Sequence, residues 1–463
     1  MASTYLTRAA TGSVSSDKIF TMSVWLKRCL PVASGSSDHW FMHENASSHT
    51  QKLDLHFCDD EFRMGWYDGS SEYNLDSKMK FRDTTAWYHI VFRCDTTQAT
   101  ASNRVRLYVN GEQAALQQIG GGDPDAQQPA QNATMDLGTK IICVGRYQAS
   151  SPSQYFNGYM SHLHYCDGQS YAPTEFGTTD TTTGEWKIKN EPSLTYGNNG
   201  FWLFKNDNAV TNRAAGTSSG NFTVAGGTLT KSEDNPSNNF ATLATEIVPA
   251  NSGVGSSNGG NEFGTSAAQW HTEKSHFGVS SGKWYFEVKM LNNGGGDRRF
   301  RWGFQKEEFL NVSGNNSVIG GSGQSAVCFY TGGHSASYGG YEIAETGTDL
   351  SSDGDINVDN AIYGFALDLD NRKMYGHMNG TWFNSGNPSS GSNGIDISSH
   401  VSAGDTLFPV FTTHLSTVQI NFGNGYTGTS AVSSAGTNAS GYGIFEYDVP
   451  TGYTALCTKG LNE

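Results

Sequence analysis

Residues Trp87–Gly111 read WYHIVFRCDTTQATASNRVRLYVNG, and this stretch decides the fold. Trp87–Asp95 alternates, with Ile90, Phe92 and Cys94 on one face, the period of a strand with one side buried. A polar run follows, and Val105–Gly111 forms a second strand ending in Asn110-Gly111. Both residues of that pair tolerate positive φ, so they suit a two-residue hairpin loop. Upstream, Phe20–Arg28 alternates Met22, Val24 and Leu26 against Ser23, Trp25 and Lys27. Leu53–Cys58 sets Leu53, Leu55 and Phe57 against Asp54, His56 and Cys58. Ile141–Gly145 and Tyr159–Cys166 add two more short strands. No stretch of helical period separates them, so a two-sheet sandwich is predicted.

The same pattern returns in the last third. GKWYFEVKM at Gly282–Met290 is followed by Arg301–Gln305 and Ala326–Tyr330. Ile362–Asp370 runs through Asn371-Arg372 into Lys373–Met378, then Asn379-Gly380 and Trp382-Phe383. Thr406–Thr412 and Val418–Phe422 complete a second sandwich. Asp368 and Asp370 suit turn chemistry, because Asp side chains cap exposed amides. Between the halves, 176–190 is polar around a lone Trp186, and Gly200–Phe204 looks like one further strand. From 205 to 280 the chain is rich in Asn, Gly, Ser and Thr. Phe222, Leu229, Phe240, Leu243 and Trp270 recur through it, so it is expected to lie pinned on a neighbouring domain; a disordered linker is the alternative. The expected organisation is all-β: 1–175 a first antiparallel sandwich, 176–280 an extended connecting segment with short packed strands, 281–450 a second sandwich, and 451–463 a tail.

Composition supports this reading. Of 463 residues, 56 are Gly, 12% are aromatic and 16% are charged. A coiled coil needs far more charge and Leu, and a disordered chain far fewer aromatics. Acidic residues outnumber basic ones 44 to 29, for a net charge of -15, which leaves no broad basic face for nucleic acid. The seven cysteines are scattered, with no C-x-x-C pair, and are expected to be reduced. The opening MASTYLTRAATGSVSSDKIF has no signal-peptide core, and no apolar run is long enough for a membrane helix. Synthesis in the cytoplasm, no membrane insertion and no nucleic-acid partner are the expectations.

The run WYHIVFRCDTTQATASNRVRLYVNGE, with FNGYMSHLHYCDG at Phe156–Gly168, resembles the middle and closing strands of a laminin G-like, concanavalin A-type sandwich over roughly 1–175. Gly282–Met290, YGFALDLDNRKMYGHMNGTWF at Tyr363–Phe383, LFPVFTTH and VQINFGNG resemble a SPRY domain over roughly 275–425. The tandem, with its Asn/Thr-rich join and ALCTKGL tail, is similar to structural proteins of marine bacterial viruses, especially cyanophages. That resemblance implies a virion surface protein: a capsid decoration, a head or vertex fibre, or a tail appendage. Other virion proteins would be its partners, and it would act as a homo-oligomer or in many copies on a symmetric particle. A host-surface glycan-binding adhesin is the alternative. The early first strand and the lack of a shaft repeat favour a compact appendage over a long fibre.

Candidate chemistry is sparse. His162, His164 and Cys166, spaced two apart on a strand, would share one face and could approach zinc, but a fourth ligand is missing. The resemblance allows calcium at a rim, with Asp38, Asp59, Asp60, Asp95 and Asp167 as available oxygens; no D-x-D-x-D cage exists, and no firm metal site is assigned. No E-x-D-x-E triplet exists, Glu287 stands alone, and Glu307-Glu308 would point to opposite faces. The Gly320–Ser325 loop is no nucleophile elbow. The protein is therefore expected not to be an enzyme. Aromatic residues in loops are the better signal, since sugars present apolar C–H faces and hydroxyls together. Tyr330, His334, Tyr338, Tyr341 and Trp382 are the predicted glycan contacts, with Trp66-Tyr67-Asp68, Tyr147 and Tyr155 as further aromatic surfaces.

Overall fold

The computed structural model describes all residues except 1–3, 10–12, 31–37, 46–50, 68–71, 136–140, 148–152, 206–207, 216–219, 245–255, 265–269, 293–298, 307–318, 320–325, 333–338 and 463. Among the described residues there is no α-helix, only short 3-10 turns between strands. The chain divides into two compact units, 1–231 and 232–463.

In the first unit, Trp87–Asp95 pairs with Val105–Val109 on one side and Ile19–Arg28 on the other. Asn110 and Gly111 have φ of 49° and 87°, the left-handed pair that a type I′ loop demands. Asp59-Asp60 repeats the device, with φ of 52° and 62°, between Gln51–Cys58 and Glu61–Tyr67. Around this hairpin a six-stranded sheet runs from Phe201–Leu203 through Gly158–Asp167, Ile19–Arg28, Trp87–Asp95 and Val105–Val109 to Glu112–Gln113. A ten-stranded sheet faces it. Its central path is Leu116–Gln118, Glu72–Ser77, Glu61–Tyr67, Gln51–Cys58, His39–Asn45, Ile141–Val144, Tyr5–Arg8 and Thr223–Gly226. Met22, Val24, Leu26, Ile90 and Phe92 of one sheet meet Leu53, Leu55, Phe62, Met64 and Leu75 of the other in one buried cluster. Burying a side chain of this kind contributes about 1.5–3 kcal/mol.

The second unit is built the same way. Lys283–Asn292 lies at the middle of an eight-stranded sheet, between Ser416–Asn421 and Ile362–Asp368, with Lys373–Met378 beyond. Leu407–His414, Arg299–Lys306, Ala326–Tyr330, Gly340–Ile343 and Thr346–Asp349 form the opposing six-stranded sheet together with His271–Lys274. Phe286 is its centrepiece, in ring contact with Phe304, Phe365, Phe411 and Phe422. Asp368 caps Asn371, and Asp370 accepts from the Gly282 N–H at 2.8 Å. Both aspartates stabilise turns.

The described parts of 176–280 are shared between the units. Gly177–Thr179 and Trp186–Ile188 form a small hairpin, Thr223–Gly226 pairs with Tyr5–Arg8, and Phe222 is buried in the first core. Leu243 and Phe263 are buried in the second core, and Phe240 sits in a satellite cluster with Cys457. No disulfide joins any of the seven cysteines, and every one except Cys58 is buried.

Candidate ligand-binding face

The outward face of the ten-stranded sheet follows from alternation. With Leu53, Leu55, Phe57, Phe62, Met64 and Leu75 inside, the intervening Asp54, His56, Arg63, Gly65, Asn74 and Asp76 point outward. Strand register lines them up: His43, Asp54, Gly65 and Asn74 in one row, and Trp40, His56, Arg63 and Asp76 in the next. A register shift between Trp40 and Met42 lets Phe41 and Met42 both enter the core while Trp40 stays opposite His56.

These side chains form one contact group. The Trp40 indole stacks on His56 at 4.0 Å between ring centroids and 7° between planes. Tyr147 lies 4.4 Å from Trp40 and 4.9 Å from His43, and His43 meets the edge of Trp40 at 5.3 Å. His56 stands between two carboxylates, with Nδ1 3.4 Å from Asp54 Oδ1 and Nε2 3.8 Å from Asp38 Oδ2. Asp54 lies across Gly65, where an added Cβ would come within 2.4 Å of its Oδ1. At the far end Arg63 holds Asp76 through two bonds of 2.7 and 2.9 Å, which raises the guanidinium above its ordinary pKa.

The group is buried, yet its hydrogen bonds are incomplete. Trp40, His43, Asp54 and His56 are 5%, 0%, 2% and 4% exposed. Among the described residues, Trp40 Nε1, both His43 ring nitrogens, His56 Nδ1 and Asp54 Oδ1 have no hydrogen-bond partner. The 3.4 Å approach of His56 Nδ1 to Asp54 Oδ1 lacks hydrogen-bond geometry. Burial pushes the His43 pKa down to about 4, against the pull of Asp54. An unmet buried polar group costs about 1–3 kcal/mol, so five such atoms in four touching residues concentrate an unusual cost on this face.

The predicted glycan contacts are dispersed. His334 and Tyr338 lie outside the described residues. Tyr330 pairs with Gly340 and points outward, its ring beneath Arg301 at 5.4 Å and its hydroxyl 3.2 Å from Asp349. Tyr341 pairs with Phe329 and packs on the second core. Trp382 belongs to the other sheet, edge-on to His377 at 4.8 Å. Around it lies a sealed polar cluster. Glu287 accepts from the Glu446 and Tyr447 amides at 2.8 and 2.9 Å and from Tyr285 Oη at 3.0 Å. Tyr285 gives its only hydroxyl proton to Glu287, so it must accept from His377 Nε2 at 2.7 Å, while His377 Nδ1 accepts from the Gly380 amide. Burial raises the Glu287 pKa to about 7 and lowers that of His377 to about 3. Of the other aromatic surfaces, Trp66 is in the core, Tyr155 contacts Tyr5, Asp68 is outside the described residues, and Tyr147 belongs to the outward group.

The possible metal ligands have other partners. A bulge at His162, with φ 48°, breaks the alternation that would have aligned His162, His164 and Cys166. His162 Nδ1 meets Ser161 Oγ, His164 Nδ1 meets Tyr196 Oη, and Cys166 is packed with Val91, Phe176 and Trp202. Asp60 binds Arg28 and Arg82, Asp95 caps Thr97 and Gln98, and Asp167 takes amides from Ser15, Ser16 and Asn199. Among the described residues no three His, Cys, Asp or Glu side chains are placed to hold an ion together. Glu307, Glu308 and the Gly320–Ser325 loop lie outside the described residues.

A tandem of face-to-face antiparallel sheets with a concanavalin A/laminin G-like first unit is the class of protein this fold defines. Residues 2–173 match the family model of the concanavalin A-like lectin/glucanases superfamily. No curated protein matches. Similar solved structures include the native heptameric SAP-like pentraxin of Limulus polyphemus, at 13% identity and TM-score 0.25, covering 36% of this chain and 71% of the pentraxin. A Bacteroides ovatus protein described as carbohydrate binding is 17% identical with TM-score 0.24, covering 40% of this chain and 54% of its own. Domains LG4-5 of the mouse laminin alpha1 chain are 8% identical with TM-score 0.27, covering 88% of this chain and 78% of theirs.

Proposed function

We propose that the chain is a glycan-binding surface protein of a bacterial virus particle, with its sugar site on the outward face of the ten-stranded sheet. The observation that carries the binding reading is the Trp40–His43–Asp54–His56 group, where unmet donors and acceptors lie beside stacked aromatic rings. Sugar hydroxyls both donate and accept, and their C–H faces suit aromatic walls. The match of residues 2–173 to a superfamily of lectins and glucanases supports the same reading. The particle role rests on the sequence resemblance of the two tandem sandwiches, and on it rest oligomeric or many-copy display and location on the virion. Repeated copies turn weak contacts into avidity without a deep pocket. Binding without catalysis is part of the proposal.

A glycan array with the assembled full-length protein tests the reading. Binding is expected in the wild type, with a loss of at least about tenfold, or about 1.4 kcal/mol, in Asp54→Asn and His43→Gln. Near-ultraviolet circular dichroism should stay unchanged in both. Binding that survives both changes but falls in Tyr338→Ala/Tyr341→Ala would move the site to the second unit. No glycan or host-cell binding by assembled protein would leave a passive structural module. Absence of the polypeptide from purified virions, by mass spectrometry, would remove the particle role.

A further inference from the structure

On the opposite side of the first unit, the outward face of the six-stranded sheet carries the hairpin Gly177–Ile188. Among the described residues its two strands pair only with each other. Its hold on the sandwich is a plug. The Trp186 ring covers Gly111 of the sandwich and Gly177 of the hairpin's own first strand, within 2.6 and 2.5 Å of their added Cβ positions. Its Nε1–H donates to His89 Nδ1 at 2.9 Å, and His89 Nε2 is 2.8 Å from Ser23 Oγ.

An indole N–H can only donate, so His89 Nδ1 is the acceptor and the single imidazole proton sits on Nε2, given to Ser23. This tautomer leaves Ser23 without a base, which rules the pair out as a hydrolytic dyad in this arrangement. It also makes the plug sensitive to protons. We propose that the hairpin is a proton-released flap: a second proton on His89 sets an Nδ1–H against the Trp186 Nε1–H, two donors face each other, and the hairpin lifts from the sheet. Beneath it lie Trp25, which stacks on His89 at 4.8 Å, and the cluster of Val91, Cys166, Phe176 and Trp202.

The groups around His89 give the proton no compensation in the closed state. Ile19–Arg28 contributes Ser23 and Trp25, and Gly158–Asp167 contributes His162 and His164. Lys205 stands behind His162. Asp180 and Glu185 of the hairpin pair with Lys187 in solvent. Burial and His162 push the His89 pKa down to about 3. Once the flap opens, the imidazole returns towards its ordinary value near 6.5, so the open population grows by about tenfold for each pH unit below that. This flap is independent of the sugar site on the other sheet.

Hydrogen exchange of the full chain at pH 7.5, 5.5 and 4.5, beside His89→Gln at the same pH, tests the proposal. A glutamine can accept from Trp186 and donate to Ser23 but cannot titrate. Relative to the variant, wild-type amides of 177–188 are expected to lose protection by about tenfold per pH unit below 6.5, while Gln51–Cys58 in the opposite sheet keeps its protection. Equal pH dependence in the variant, a flap still closed at pH 4.5, or simultaneous loss in Gln51–Cys58 would each overturn it. Should His89→Gln not fold, His89→Asn places a shorter, non-titrating amide there instead. Its flap is expected to lose the pH dependence, and a wild-type profile there would overturn the proposal.

Discussion

Two outward sheet faces are made from the same ingredients and finished differently. On the ten-stranded sheet of the first unit, Trp40, His43, Asp54 and His56 are buried with five polar atoms unmet. On the eight-stranded sheet of the second, Tyr285, Glu287 and His377 form a chain in which each proton has a destination, closed by the amides of Glu446 and Tyr447. A closed network of this kind rigidifies and holds the C-terminal segment in place. The open one costs stability unless a ligand completes it. In the proposed reading, the difference separates a face that binds from a face that holds the fold, although both carry an imidazole, a carboxylate and aromatic rings.

Acid should widen that difference, and this is the largest effect expected. Five of the first unit's buried histidines are held neutral: His39, His43 and His162 with pKa lowered to about 4, His89 to about 3, and His164 well below its ordinary value, all chiefly through burial. Depressed folded-state values contribute stability that is present above pH 6.5 and lost as pH falls towards them. Each of these imidazoles takes up a proton on unfolding below pH 6.5, so each lowers the first unit's stability as pH falls. In the second unit, His377 acts in the same sense. Glu287, raised to about 7, acts in the opposite one, contributing stability present below pH 4.5 and lost as pH rises through 7. Calorimetry between pH 7.5 and 5 should show one transition falling steeply while another barely moves. Two transitions falling in parallel would break the comparison.

The next effect assigns the transitions. Phe286→Ala removes a ring packed on four others and should cost about 3–5 kcal/mol, lowering the acid-resistant transition alone. If the acid-sensitive transition moves instead, the two units do not melt as separate bodies. A smaller change tests the balance inside the second unit. Glu287→Gln removes the group that offsets His377, so this unit should become acid-labile by about 1–3 kcal/mol between pH 7 and 5. A variant as flat with pH as the wild type would show that Glu287 does not titrate there.

The sequence made some of this legible. Alternation at Leu53–Cys58 already placed Asp54 and His56 on the face opposite the core. It could not place Trp40 beside them, because that neighbour comes from another strand through a register shift. The four-residue strand Tyr5–Arg8 escaped because its period is too short to stand out. Tyr330 and Tyr341 looked like one patch. Their pairing with Gly340 and Phe329 puts them on opposite faces, since a one-residue offset inverts a strand's sides. His162 failed for a related reason, the bulge that interrupts its alternation. The lone Trp186, unexplained in the sequence, proves to be the plug of a hairpin whose seat is the Gly111 of the Asn110-Gly111 turn.

The smallest expected effect is the sharpest test of what the open face is for. Asp54→Asn exchanges a buried, partly unmet carboxylate for a neutral amide of the same shape, lying across Gly65 where no Cβ obstructs it. In a face built for folding, losing a carboxylate should destabilise the unit by about 3–5 kcal/mol, as breaking a buried charge network does. In a face built for binding, the carboxylate stores an unmet cost, and its removal should leave the free protein within about 1 kcal/mol of wild type, or slightly more stable. The same substitution should abolish glycan binding. Thermal melting of the first unit, read beside the array, separates the two. Destabilisation with binding intact would make Asp54 a structural residue and move the sugar site elsewhere. Unchanged melting with binding lost would fix this row as the recognition face, for which the chain gives up stability.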